Sequence, residues 1–217
     1  VNFRDDIVPE ETWVVSDTHF GHENIKAFCH RPPDIEQIMI ENWARAVPDD
    51  GTVLHLGDLS YRNNSFFKNL LAPHLTGARK LIVMGNHDRQ RFSFYRDSGF
   101  QIVKPFKIPY RDYVISFSHY PWNAEYEEGH EPPADEVRVH GHIHNNGYTR
   151  SALVPFMRRQ INMSAEQTKY TPINLKLLLD GYLFGELPTP TAEELAEWAR
   201  RSEEKKARNR VRHRKPG

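Results

Sequence analysis

The sequence predicts an α/β protein in which two β-sheets pack against each other, and three observations carry that expectation. Three short apolar runs each end in polar residues. The stretches beside and between them have helical character. The second half of the chain turns to strand-like segments divided by Pro- and Gly-containing loops.

The first run, Trp13-Val14-Val15, ends in Ser16-Asp17. Thr52-Val53-Leu54-His55-Leu56 ends in Gly57-Asp58, and Leu81-Ile82-Val83-Met84 ends in Gly85-Asn86-His87-Asp88. Each reads as a buried strand with polar residues at its C-terminal end. Helix-compatible stretches occupy Glu23 to Cys29, Asp34 to Val47 and Ser65 to Leu75. In the second of these, Asp34 is the expected N-cap. Ile35, Ile38, Met39, Asn42 and Trp43 form a mostly apolar stripe at helical spacing, which assigns that face to the core. Strand and helix in alternation favour an α/β sheet, where functional groups gather beyond the C-terminal strand ends.

Tyr113 to Ser118, Val137 to His140 and Gln160 to Met163 are the strands expected for a second sheet packed on the first, with loops such as Glu128 to Pro133 between them. After Leu187-Pro188-Thr189-Pro190, Thr191 and Glu194 have capping-box spacing. A helix is expected from there to about Arg210, amphipathic at its start and basic at its end. The division is then a folded domain over residues 1–187 and a C-terminal helix with a basic tail over 188–217.

A length of 217 residues is ample for a buried core, and a mean hydropathy of -0.71 lies on the polar side. No apolar run of about 18 residues occurs and Val1 to Glu10 lacks the order of a secretion signal, so a cytoplasmic protein without a membrane span is expected. The sole cysteine, Cys29, reads as a small buried apolar residue. From Ala199 to Gly217 nine Lys or Arg face two Glu, a local +7 in a chain whose formal charge is zero. Two readings stand for that block: a solvated tail, or an arm that attracts nucleic acid by neutralising phosphates. It lacks interleaved aromatics, which argues against base stacking.

The chemistry lies at the segment ends: Asp17-Thr18-His19, Gly57-Asp58, Gly85-Asn86-His87-Asp88, Ser118-His119 and Gly141-His142-Ile143-His144. Carboxylate, imidazole and amide donors suit divalent Mn, Fe, Zn or Co, and no cysteine cluster competes with them. A structural zinc takes about four ligands. The larger set here, with a carboxylate able to bridge, points to a pair of ions, which in two-metal hydrolases lie about 3.5 to 4 Å apart.

In their order and spacing the motifs D-x-H, G-D, G-N-H-D, H and G-H-x-H resemble the calcineurin-like metallophosphoesterase family, over Asp17 to His144. That resemblance implies a four-layer αββα sandwich of two mixed sheets with a dinuclear site at the strand ends. It implies that Asp17, His19 and His144 hold one metal, that Asn86, His119 and His142 hold the other, and that Asp58 bridges them. His87 is then left to act on a phosphate-ester substrate. Two divalent or mixed-valence ions make a hydroxide available at neutral pH and offset charge on the phosphoryl oxygens. His87 is expected to protonate the leaving oxygen as an imidazolium, with Asp88 orienting its ring and favouring its charged form.

Asp58 is followed by Leu59-Ser60-Tyr61, a departure from the protein phosphatase branch. The run Asp17-Thr18-His19-Phe20-Gly21-His22 is similar to small bacterial and phage members and, more loosely, to the repair-nuclease branch. Phosphodiesters are thus expected ahead of phosphomonoesters. His22, Arg31, Arg89, Tyr120 and Trp122 stand near the motifs as candidates for the substrate pocket. Asn86, Arg31 and His22 are the expected substrate contacts, and the planar fork of Arg31 suits a pair of phosphate oxygens. His55, His74, His130 and His213 read as surface or hydrogen-bonded core residues. His140 reads as packing or support, sharing a strand face with His142 and His144 by alternation. The segment Asn162-Met163-Ser164, leading to Glu166, reads as wall or support for the site.

Overall fold

The structure is a computed structural model, and it describes residues 7–61, 67–122, 132–145 and 159–185. The expected helix after Thr191 and the basic tail lie outside these residues. In the first sheet, β1 (Thr12–Val15), β2 (Thr52–His55), β3 (Arg79–Val83) and β4 (Phe100–Val103) run parallel, and β9 (Ile173–Asn174) pairs antiparallel with β1, in the order β4-β3-β2-β1-β9. The second sheet orders β5 (Phe106–Tyr110), β6 (Tyr113–Phe117), β7 (Glu136–His140) and β8 (Gln160–Asn162), with β5 antiparallel to β6 and the rest parallel. Both sheets are therefore mixed.

Two-residue alternation divides the strands between two cores. Val14, Leu54, Leu56, Leu81 and Val83 meet Phe106, Ile115, Phe117, Val137, Val139 and Ile161 between the sheets, closed by Leu175 and Leu179 of α4 (Leu175–Phe184). On the other face of the first sheet, Val15, Val53 and Ile82 pack against Ile35, Met39 and Trp43 of α2 (Ile35–Ala46) and Tyr95 of α3 (Phe92–Asp97). Asn42 sits at the edge of the apolar stripe and donates to the carbonyls of Lys169 and Tyr170.

Several expectations are corrected. The described residues make three layers, α, β and β, and the fourth layer of the expected sandwich lies outside what they describe. The outer face of the second sheet carries Ser116, Arg138 and Gln160, with Arg138 and Arg159 over the ring of buried Trp122. Asp34 occupies the N-cap position of α2, yet its side chain makes no capping bond. In place of a third α-helix, Phe67–Leu71 is a π-helical turn followed by a 3-10 turn at Ala72–His74, where Pro73 has no N–H to continue an α-helix. Among the described residues no helix is long and apolar enough to cross a membrane.

Trp43 is 1% exposed and donates from its indole N–H to the Thr76 carbonyl at 3.0 Å. Trp43→Ala is expected to lower the unfolding free energy by about 3–5 kcal/mol in urea titration, with metal binding by the folded fraction unchanged.

Candidate metal centre

Backbone pairing continues past the strands and sets the site. Beyond β1 and β2, Leu56 N–H donates to Val15, Asp17 N–H to Gly57 and His19 N–H to Asp58, each at 2.9 Å, so the two aspartates lie side by side. Beyond β6 and β7, Ser118 N–H donates to Val139 and Gly141 N–H to His119 at 3.2 and 3.0 Å. Asp17, His19, Asp58, His142 and His144 all have φ between 50° and 73°, the left-handed region that side chains other than glycine rarely adopt. Strain gathered on candidate ligands fits a site that the surrounding structure over-determines. Two motif glycines exist because the chains approach too closely for a side chain. A Cβ at Gly85 would lie 2.2 Å from Asp58 Oδ1, and one at Gly141 would lie 2.2 Å from Asp17 Oδ2.

The carboxylate oxygens face backbone donors and imidazoles together. Asp17 shares the His142 N–H between Oδ2 at 2.9 Å and Oδ1 at 3.1 Å; Oδ2 also accepts from Ser164 Oγ–H at 3.1 Å, while Oδ1 lies 3.6 Å from His144 Nε2 and 3.9 Å from His19 Nε2. Asp58 Oδ1 accepts from His87 N–H at 2.8 Å, and its Oδ2 lies 3.5 Å from both His19 Nε2 and His119 Nε2. These gaps are too long for direct hydrogen bonds. They approach the separation of two donors on one ion, roughly 3.0–3.4 Å for bonds of about 2.1 Å near right angles.

The donor atoms themselves fit a metal. Among the described residues neither ring nitrogen of buried His19 has a hydrogen-bond partner, a desolvation cost that a cation bound at one of them relieves in part. His119 Nδ1–H donates to the Leu56 carbonyl at 2.8 Å, which leaves Nε2 as a lone pair 3.0 Å from Asn86 Oδ1. Two acceptors facing each other at that distance are reconciled by a cation between them. Two triads, Asp17 with His19 and His144, and Asp17 with Asp58 and His119, bring their donor atoms within 4.8 Å of one another.

Electrostatics agree. Burial raises the Asp58 carboxyl to about 6 against the opposing charge of His119, with Asp17 and Asp88 adding to the rise. Burial, then neighbouring cationic groups, holds His19 well below its ordinary value, and burial also lowers His142, so these rings stay neutral and keep a lone pair for metal. Burial works against a proton on His144 too. There, hydrogen bonds with Cys29 and Glu166 and the charges of Asp17 and Glu166 win and push it up to about 10. A field that holds a proton so firmly also attracts a metal cation.

Arg31, an expected substrate contact, and Asp88, expected beside His87, make backbone-directed contacts. Arg31 is buried and does not offer its fork to a phosphate: Nε donates to Glu166 Oε1, one terminal nitrogen to the Thr18 carbonyl and the other to the Asp17 carbonyl, each at 2.7 Å. Asp88 does not orient His87. Its carboxylate accepts from the N–H groups of Asp58 at 2.6 Å, Gly85 at 2.8 Å and Leu59 at 3.0 Å, tying the second and third strand ends together. The charge of Asp88 raises His87 only weakly, and burial with Arg89, His119 and His144 lowers it overall. Cys29 is buried as expected but lies against His144, and Glu166 holds the same imidazole, a link that the motifs do not reveal.

Other residues fall as follows. His22 caps α1 (Glu23–Phe28), its Nδ1 accepting from Ile25 N–H, and its ring packs 3.9 Å from that of Tyr61 and 6.0 Å from that of His87. The His87 ring lies 5.1 Å from that of His19. Tyr120 is exposed and packs on His119 and His142, whereas Trp122 is core. Exposed Arg89 donates to the Asn86 carbonyl. His55 is a hydrogen-bonded core residue: its Nδ1 accepts from Gly57 N–H and its Nε2–H donates to Thr18 Oγ1, and burial lowers it to about 3. His140 is fully buried, and Nδ1–H donates to the Gly141 carbonyl. It does not share a strand face with His142 and His144, because β7 ends at His140. His74 is exposed, and His130 and His213 lie outside the described residues.

Clustered histidines and carboxylates at the facing ends of two mixed sheets define a metal-dependent hydrolase. The model of the calcineurin-like phosphoesterase family matches residues 11–202, and the chain belongs to that family, hydrolases of phosphoester bonds that typically bind two metals. An uncharacterized protein of Methanocaldococcus jannaschii is 28% identical over 173 residues, an alignment covering 77% of this chain and 88% of that one. The crystal structure of a protein of unknown function from Aquifex aeolicus superposes with a TM-score of 0.58 at 24% identity, over 77% of this chain and 96% of that chain. That likeness shows the fold.

Gly141→Ala, whose Cβ would also meet Ser16 Oγ at 2.0 Å, is expected to reduce bound manganese per chain, measured by elemental mass spectrometry after loading. Gly181→Ala in α4, where a Cβ meets nothing within 4 Å, is expected to keep full metal content and gain about 0.4–1 kcal/mol of stability.

Proposed function

We propose that the protein is a two-metal phosphodiesterase in which Asp17, His19 and His144 hold one ion and Asn86, His119 and His142 hold the other. Asp58 spans the two halves. The observation that carries this reading is the position of Asp58 Oδ2, 3.5 Å from Nε2 of both His19 and His119. When bound, ions of the Mn, Fe, Zn or Co class supply Lewis acidity, which activates water and offsets charge on the phosphoryl oxygens.

The remaining tasks fall to the chain. Asp58 Oδ1 accepts the His87 N–H, so the same carboxylate that joins the metal halves also positions the residue we assign as proton donor to the leaving oxygen. His22 accepts at Nδ1 from Ile25 N–H, which leaves Nε2–H to donate to a phosphoryl oxygen. The preference for diesters rests on Arg31. With its fork committed to Glu166 and two carbonyls, it is not available to pair with a monoester dianion. The basic segment from Arg200 to Lys215 adds non-specific attraction for a polyanion, so a nucleic-acid diester is the second reading.

With manganese, turnover of bis-para-nitrophenyl phosphate is expected to exceed that of para-nitrophenyl phosphate; the opposite ranking would overturn the diester preference. His87→Ala is expected to retain both ions and to lose about 10²–10⁴-fold in turnover, most for poor leaving groups, whereas Asp58→Ala is expected to lose metal. A proton donor must be protonated, and His87 lies below its ordinary 6.5. The limb of kcat/KM due to His87 should therefore fall as pH rises through a value below 6.5, and His87→Ala should abolish that limb.

A further inference from the structure

We infer that Glu166, clamped by Arg31, is a positioning residue that fixes His144 and so sets the metal affinity of the half formed by Asp17, His19 and His144. The inference rests on the two-metal reading above, and it assigns to a buried ion pair outside the motifs control over one half of the centre.

Glu166 follows β8 and its side chain is 6% exposed. Its two oxygens lie 3.2 and 3.1 Å from His144 Nδ1, so Nδ1–H donates to the carboxylate and Nε2 turns toward Asp17 Oδ1 at 3.6 Å. Glu166 Oε1 also accepts from Arg31 Nε at 2.7 Å and from a terminal Arg31 nitrogen at 2.6 Å. The guanidinium, with no side-chain exposure, donates onward to the carbonyls of Asp17 and Thr18. One cation therefore ties the loop that carries Asp17 and His19 to the carboxylate that carries His144. The Asp17 carboxylate and Ser164 make a second link between the same segments: Ser164 donates to Asp17 at 3.1 Å and accepts from His144 N–H at 3.1 Å.

The other half is supported differently. His119 Nδ1–H donates to a neutral backbone carbonyl, and the His142 ring has no hydrogen-bond partner among the described residues. A carboxylate behind a ligating imidazole fixes its tautomer and ring angle and makes the opposite nitrogen a stronger donor. Among the described residues only the half containing His144 has one. Cys29, His144 and Glu166 also place their donor atoms within 4.8 Å of one another, which raises a competing reading as a separate metal site. Arg31 decides against it, because the guanidinium already holds the Glu166 carboxylate and sets a positive charge beside the place where an ion would sit.

The test is a titration of the full-length, metal-stripped protein with Co2+, followed by calorimetry and by visible absorbance, for wild type and Glu166→Gln. Gln keeps the shape and an acceptor for Nδ1–H and removes the charge. The expected result is a loss of about 10–100-fold in affinity for one of the two Co2+ ions, with a changed absorbance for that ion and the other step unmoved. If Glu166→Gln does not fold, the double variant Arg31→Met with Glu166→Gln, which leaves no unpaired buried charge, is expected to give the same selective loss. Two steps unchanged from wild type would overturn the inference. So would an equal loss in both steps, which is the mark of general loosening. A wild type that binds both ions yet turns over no phosphoester would overturn the proposed function and leave the selective loss in Glu166→Gln standing.

Discussion

Two carboxylates buried side by side, Asp17 and Asp58, are the constraint around which the rest of the molecule is arranged. Isolated carboxylates in an apolar interior are costly and draw compensating positive charge or protons to themselves. Here the compensation comes from three directions: the backbone N–H groups of His142 and His87, a ring of imidazoles, and the metal ions that the family typically binds. Parallel pairing in both sheets is what makes this convergence possible, because it delivers the ends of β1, β2, β3, β6 and β7 to one edge of the sandwich.

The buried polar residues around that edge hold the loops. Asp88 ties three backbone N–H groups, His55 links Thr18 to Gly57, and Arg31 with Glu166 joins the first loop to the last. Each satisfies donors or acceptors that the tight, left-handed turns leave without partners in regular structure. Rigidity follows from this satisfaction, and rigidity lets the carboxylates and imidazoles keep their spacing against mutual repulsion.

How much of this was legible in the sequence depended on the range of the interaction. Asp17, Asp58 and the Gly-His-x-His run could be read because the signal is local, an apolar strand that stops at polar groups. Val14, Leu54 and Ile82 announced their strands by the same logic. The contacts of Arg31 and Asp88 are not legible, because a charged residue beside a motif looks the same whether it faces substrate or backbone; their partners, Glu166 at 135 positions and Asp58 at 30, come near only in the fold. Cys29 looked inert for the same reason. The strands β4 and β5 and the helix α3 are too short to sustain a period, and α4, although capped by Asn174, holds near its start the run Leu177-Leu178-Leu179, which a strand could equally carry. Apolar content makes Ser65 to Leu75 helix-compatible, yet Pro73 inside it interrupts an α-helix.

The account stands most directly on the claim that Asp58 joins two metal halves. A crystal of the manganese-loaded protein, measured at an energy where manganese scatters anomalously, examines this without reference to activity. The account predicts two anomalous peaks about 3.5 to 4 Å apart, one on each side of the Asp58 carboxylate, with the first near Asp17, His19 and His144 and the second near Asn86, His119 and His142. A single peak, or a pair that does not flank Asp58, would contradict it.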